Sequence, residues 1–309
     1  MSNTQTVTEG QPAQGPRVRV GIAGWVFPPW RGTFYPPKLP QKSELEYASR
    51  ALSTIELNGS FYSLQRPESY AKWHDQTPHD FAFSVKAPRY VTHILKLRNV
   101  EVPIANFLAS GLANLGDKLG PVLWQLAPTL VFDTELLEAF LALLPRTAAQ
   151  GEELALRHDA KVAGRAVTRF HTTRPLRHAI EVRNPSFADS ALIPLLRKYS
   201  VALVIADSAG KWPEYEDVTA DFMYLRLHGA DETVHPQGYT DEQLDRISAR
   251  IEQWHRGGEP DDARRLGAPA AASASMRDVY CYFDNTLKAE APHNARRLQA
   301  KVDARLARG

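Results

Sequence analysis

Eight short apolar segments recur along the chain, and stretches of helical periodicity separate them. The segments cover 18–24 (VRVGIAG), 54–58 (TIELN), 81–86 (FAFSVK), 121–126 (PVLWQL), 178–183 (HAIEVR), 201–207 (VALVIAD), 222–228 (FMYLRLH) and 278–285 (DVYCYFDN). Helical spacing of apolar residues marks 43–52, 67–75, 106–119, 134–145, 191–199, 241–258 and 292–307. In the fourth of these, Thr134 is read as the N-cap and Pro145 as the stop. Strands that alternate with helices pair in parallel through right-handed crossovers. Eight such units predict a closed (β/α)8 TIM-like barrel, for which 309 residues is an ordinary length. An open, doubly wound sheet is the other architecture this alternation permits.

The reading predicts one domain over 17–309, with residues 1–16 as a flexible tail that lacks the basic start and apolar core of a signal peptide. Residues 146–177 exceed a normal crossover and carry a predicted helix over 148–164. The Ala-, Pro- and Ser-rich stretch within 258–276 reads as a mobile surface insertion. No apolar run is long enough to span a membrane. A net charge of +2 gives no charge-based argument for nucleic acid, and a single cysteine fits a reducing cytoplasm. Cys281 alternates with Tyr280 and Tyr282, which turns it toward the helices.

Successive side chains of a strand point to opposite faces, so the apolar set of each segment identifies its helix-facing side. The other side then points into the barrel, where polar groups near the C-terminal strand ends serve function. By this rule Glu56, Asn58, Lys86, Gln125, Glu181, Arg183, Arg226 and His228 share one inward set at one end. Asp207, Asp284 and Asn285 close their own strands there. A buried ion costs several kcal/mol unless it is paired or bound. Charges from six strands at one mouth therefore predict a ligand pocket. The competing reading is a set of braces, Glu56 with Lys86 or Glu181 with Arg226.

Aromatic and Pro-rich loops follow the first two strands, in GWVFPPWRGTFYPP (24–37) and NGSFYSL (58–64). Trp25 and Tyr62 are read as rings that stack on a ligand, against the plainer role of packing the barrel rim. Lys86, Arg89 and His93 lie close together after the third strand and suit an anion. The remaining histidines lack ligand spacing, and most read as surface residues. No phosphate-cradling glycine loop, dinucleotide fingerprint or Cys/His zinc pattern is present.

The ordered motifs GIAGW, IELNGSFYSL, FSVKAPRYVTH, LGDKLGPVLWQLAP, AIEVRNPSF, YLRLHG and YCYFDN, from about Val18 to Leu298, resemble the YecE-like family, the domain of unknown function numbered 72. The resemblance implies a TIM-barrel-like fold and supplies no reaction. Family members usually carry Ser or Thr at the position of Ala23, Trp at that of Phe187, and a pair of asparagines where this chain has Asp284–Asn285. By analogy with metal-dependent sugar epimerases, the last four strands offer Glu181, Asp207, His228 and Asp284 to a divalent metal. Arg183 and Arg226 beside them oppose that use, and no cofactor is expected.

The pocket is therefore read as an enzyme site, hydrolase or isomerase, for a phosphorylated sugar or a nucleic-acid-derived anion. Glu56 or Glu181 is the expected general base and His228 the acid. Arg183, Arg226 and Lys86 are the expected anion clamp, and Trp25, Asn58, Tyr62, Arg89, Gln125, Asp207 and Asn285 line the pocket. The alternative is a non-catalytic binder of nucleic acid or an anionic metabolite.

Overall fold

The computed structural model describes residues 15–229, 238–271, 275–285 and 290–308. Eight strands, β1 (Val18–Ala23), β2 (Thr54–Leu57), β3 (Ala82–Lys86), β4 (Leu119–Gln125), β5 (His178–Glu181), β6 (Ala202–Asp207), β7 (Phe222–Leu227) and β8 (Asp278–Phe283), pair in parallel and in chain order. Pairing of β8 with β1, from Val18 opposite Val279 to Ile22 opposite Phe283, closes the barrel. The open sheet is excluded. Each expected strand is present, with ends displaced by two residues at most.

The helices among the described residues are α1 (Glu44–Ala51), α2 (Gly59–Tyr62), α3 (Pro67–Gln76), α4 (Glu101–Ala109), α5 (Thr134–Leu143), α6 (Ala148–Ala155), α7 (Leu192–Lys198), α8 (Asp241–His255) and α9 (Glu290–Leu306). Polar caps set several boundaries. Asp133, rather than Thr134, caps α5, because its carboxylate accepts from the N–H of Leu136. Thr240 and Gln243 form a reciprocal capping box on α8. The single helix expected over 106–119 is α4 followed by a 3-10 segment, Leu112–Lys118. Gly111 breaks it, at φ +113°, where a Cβ would lie 2.4 Å from Cα of Pro67. The helix expected over 148–164 stops at Ala155. Beyond it, the Asp159 carboxylate accepts from Asn106 Nδ2 and the N–H of Lys161, a local pairing that competes with helix.

The described part of the Ala- and Pro-rich stretch carries no helix or strand and is tied down. Asp217 accepts from the N–H groups of Leu266 and Gly267, and Glu259 from that of Ala270. Residues 1–14 of the expected tail lie outside the described residues. No helix among the described residues is long and apolar enough to cross a membrane.

The apolar residues form two cores. The larger lies between barrel and helices and takes Ile55 and Leu57, Phe83 and Val85, Leu225 and Leu227, and Cys281 with Phe283. The smaller fills the barrel with Leu123, Val204, Phe222, Tyr224, Tyr280 and Tyr282. Above it, Tyr282 Oη meets Thr54 Oγ1 at 2.8 Å and Ser84 Oγ at 2.6 Å, so the interior turns polar toward its C-terminal end. Space inside is tight. A Cβ on Gly21 would sit 1.9 Å from the carbonyl oxygen of Thr54. Because backbone rather than a flexible side chain blocks it, Gly21→Ala should destabilise the barrel by more than ~2 kcal/mol, read by urea unfolding.

Candidate functional site

The alternation that buries Ile55, Leu57, Leu225 and Leu227 outward turns Glu56 and Arg226 inward, just above the Tyr224–Tyr282 layer. Arg226 is fully buried, with no exposed surface. Its Nε and Nη2 donate to the two oxygens of Glu56 at 3.1 and 2.9 Å. Nη1 donates to Glu181 Oε2 at 2.8 Å, and Nη2 also reaches Asp284 Oδ2 at 2.9 Å. Three carboxylates thus converge on one guanidinium, whose planar fork suits bidentate pairing.

Further donors complete the cluster. Tyr224 Oη donates to Glu56 at 2.7 Å, and Gln125 Nε2 to Glu181 Oε2 at 2.8 Å. Arg183 grips Glu181 Oε1 through Nε and Nη2, at 3.1 and 3.0 Å. Its guanidinium lies 4.7 Å over the Trp212 ring. Burial alone would raise the Glu181 pKa, but the adjoining Arg226 and His228 hold it well below the usual carboxylate range. Asp284 is held down to about 2, where Arg226 and then His228 outweigh its own burial. These contacts correct the roles expected of Glu56 and Glu181. A general base needs a free lone pair and an accessible proton affinity. Both carboxylates are fully buried and each oxygen already accepts from Arg226, Tyr224, Gln125 or Arg183. Asp284, placed by the sequence at the end of its strand, is a member of the cluster. Its charge removes the cationic surplus expected of the pocket, since Lys86, Arg183 and Arg226 face Glu56, Glu181 and Asp284, and a protonated His228 alone leaves one positive charge over.

His228 stands at the edge of this cluster. Nδ1 lies 3.2 Å from Asp284 Oδ2, and Nε2 lies 3.5 Å from Glu181 Oε1 without forming a hydrogen bond. Burial pulls its pKa down, yet the two carboxylates outweigh burial and raise it. When protonated, the imidazole keeps its Nε2–H outside any hydrogen bond among the described residues. Lys86, also inward, has no carboxylate within ion-pair distance among the described residues, so the expected Glu56–Lys86 brace is absent. Its Nζ sits 4.2 Å from the centre of the Phe61 ring. Burial first, and then Arg226, brings its pKa down to about 8. His93 packs edge-on to Phe61 at 5.1 Å and is brought down to about 4 by burial and the charges of Arg183, Lys86 and Arg89. It is neutral at pH 7. Trp212 carries no sequence signal, whereas Phe61 belongs to the aromatic loop after the second strand. Tyr224 shares the inward parity of Arg226 and His228, as the alternation of its strand requires.

Other expected residues fall elsewhere. Asp207 shares the parity of Leu203 and Ile205, and its Oδ2 accepts from Tyr239 Oη at 3.0 Å. It does not join the cluster. The suggested metal set of Glu181, Asp207, His228 and Asp284 is therefore not assembled, and the guanidinium of Arg226 fills the space between the carboxylates. Among the described residues no group of three His, Cys, Asp or Glu is placed to hold a metal ion. Asn58 and Asn285 end up half-buried at the ends of β2 and β8, and the Oδ1 of each finds no donor among the described residues. Trp25 is half-buried, edge-on to Trp73 at 5.6 Å. Trp30, Phe34 and Tyr35 are core residues that pack the rim. Tyr62 is 74% exposed and, with Arg89 and Tyr90, lines an open groove of about 860 Å³ beside the mouth. Two histidines depart from a surface role: His178 is buried between Trp124 Nε1 and the carbonyl of Pro145, and His255 against that of Arg277.

A closed (β/α)8 barrel with an ion cluster sealed beneath its C-terminal mouth is the class of protein these features define. The chain belongs to the family described as Protein of unknown function DUF72, whose model matches residues 19–308. It is 27% identical over 245 residues to UPF0759 protein YecE of Escherichia coli strain K12, covering 77% of this chain and 82% of that one. It is 33% identical to UPF0759 protein YunF of Bacillus subtilis over 75 residues, 24% of this chain and 26% of that one. A crystal structure of a DUF72 family protein from Thermotoga maritima superposes with a TM-score of 0.66, at 22% identity, covering 93% of this chain and 99% of the other. One from Enterococcus faecalis gives 0.64 at 18% identity, covering 93% and 96%. These likenesses carry the fold.

Removing the central cation leaves buried carboxylates unpaired. Arg226→Met should lose about 3–5 kcal/mol of stability at pH 7 in urea unfolding, and the deficit should shrink toward pH 5 as carboxylates take up protons. For His228 the sign is opposite. Its pKa is raised on folding from the ordinary 6.5. Its contribution is complete below that value and is lost as pH climbs through the higher folded-state value. His228→Gln should flatten this fall in stability, measured by thermal unfolding from pH 6 to 9.

Proposed function

We propose that the mouth of the barrel is an enzyme active site, a hydrolase or isomerase, for a phosphorylated sugar or a related nucleic-acid-derived anion. One observation carries the reading: Glu56 and Glu181 are saturated with donors, while polar atoms at the mouth are left over. They are Asn58 Oδ1 and Asn285 Oδ1, buried without a hydrogen-bond partner among the described residues, and His228 Nε2, which has only a 3.5 Å contact to Glu181 Oε1. An orphaned buried polar atom costs about 1–3 kcal/mol, and several gathered at one mouth favour a ligand that supplies their partners. Their chemistry is specific. The amide oxygens call for hydroxyl donors, as on a sugar. His228, Arg183 and Lys86 supply donors and positive charge for an anionic oxygen.

In this reading His228 is the proton donor, oriented by Asp284. Neutral His93 and the uncharged share of Lys86 are the available bases, since Glu56 and Glu181 serve as positioning residues. Arg183, with Trp212 beneath it, meets the anion. The cytoplasm is the compartment that suits such a substrate and the lone buried Cys281.

A second reading has its own support. The exposed Tyr62 and Tyr90, with Arg89 and Lys161 in the same groove, fit a stacked base and its phosphate, as in a non-catalytic nucleic-acid binder. Calorimetric titration with ribose 5-phosphate separates the two. A pocketed anion gives a shallow salt dependence, and Arg183→Ala should weaken binding about tenfold or more. No binding of ribose 5-phosphate or glucose 6-phosphate, beside steeply salt-dependent binding of oligonucleotides, would favour the groove. Once a turned-over substrate is in hand, His228→Gln should lower kcat by about 10²–10⁴ with affinity little changed.

A further inference from the structure

Lys86 is unlike the other charged groups in the cluster. Arg226 and Arg183 are locked to carboxylates at 2.8–3.1 Å, whereas the Lys86 amine is paired with none of them. It lies instead over Phe61, whose ring face orients a cation but stabilises its charge far less than a carboxylate would. The backbone beneath it is fixed, because Ser60 Oγ donates to the carbonyl of Lys86 at 2.7 Å. Only 9% of the residue is exposed, at the C-terminal end of β3 where the barrel opens. A buried lysine with no carboxylate in ion-pair contact among the described residues is an arrangement that favours an uncharged, nucleophilic amine.

We propose that Lys86 is a nucleophilic residue that forms an imine with an aldehyde or ketone substrate. This rests on the reading of the mouth as a sugar-phosphate site and names the carbonyl as the reacting group. The Nζ lone pair attacks the carbonyl carbon, a C–N bond forms, and the C=O π pair moves to oxygen, which takes a proton. Nitrogen loses its protons as the hydroxyl leaves as water and the C=N bond forms. Amine and carbonyl thus give imine and water, with no oxidant or reductant. The proton that the departing hydroxyl needs is available from His228, which borders the same Glu181 and Asp284 that act on Lys86. The groups that face the amine are Arg226, Glu56, Glu181 and Asp284, together with His93. With a pKa near 8, on the order of a tenth of it is uncharged at pH 7.

The full chain is incubated with glycolaldehyde or with glyceraldehyde 3-phosphate, reduced with borohydride and mapped by peptide mass spectrometry. The expected result is an adduct concentrated on Lys86, on the order of tenfold or more above exposed lysines such as Lys161 in the same digest. Labelling should rise with pH to half its maximum near the pKa of about 8. Lys86→Arg should lose the adduct while Lys161 labelling stays the same. Adducts spread evenly over exposed lysines would overturn the proposal, and this comparison within wild-type protein holds whether or not the variant folds. If glycolaldehyde labels Lys86 and the phosphate gives no advantage, the amine chemistry stands and the phosphorylated substrate falls. If ribose 5-phosphate binds and neither aldehyde marks Lys86, the reverse holds.

Discussion

A guanidinium with no exposed surface sits at the centre of this barrel, and the mouth is organised around it. Burying Arg226 is favourable only if its donors are satisfied and its charge is met, since each unpaired buried ion costs several kcal/mol. Glu56, Glu181 and Asp284 meet it from β2, β5 and the end of β8. Gln125, Tyr224 and Arg183 then occupy what the glutamates have left. Arg226→Met tests this dependence because it removes the one group that all three carboxylates share. Such a network is rigid, and rigidity is what positions His228 and Lys86.

The same saturation decides the chemistry open to the site. Carboxylates that look catalytic in a strand sequence are, once the barrel closes, fully buried and hydrogen-bonded to their neighbours. In the proposed reading, reactivity lies at the periphery of the network, in groups that are near it but not absorbed by it. His228 gains proton affinity from Asp284 and Glu181, while Lys86 and His93 lose theirs to burial and to the surrounding cations. Titratable groups driven in opposite directions in one cleft are the pattern of acid–base sites.

Much of the fold is written locally. Strand positions followed from apolar runs, and the inward assignment of Glu56, Lys86, Gln125, Glu181, Arg183, Arg226 and His228 followed from period two. Both are properties of a few neighbouring residues. Asp207 failed because it falls on the outer parity of its own strand, a fact that its place at the strand end obscured. The break at Gly111 depends on Pro67 of α3 and was hidden for the same reason that most corrections arise: the partner is far along the chain.

Sequence by itself determined the barrel, its family and the set of polar residues delivered to its mouth, because alternation and hydrophobic period are encoded within each segment. Tertiary structure alone decided which of them are spent on one another. Glu56 and Arg226 are 170 positions apart, and Arg226 and Asp284 are 58 apart. Nothing local says that Glu56 will choose Arg226 over Lys86. That choice is made when closure of β8 on β1 sets the distances, and Coulomb attraction in a low-dielectric interior rewards the pair that can satisfy the most hydrogen bonds.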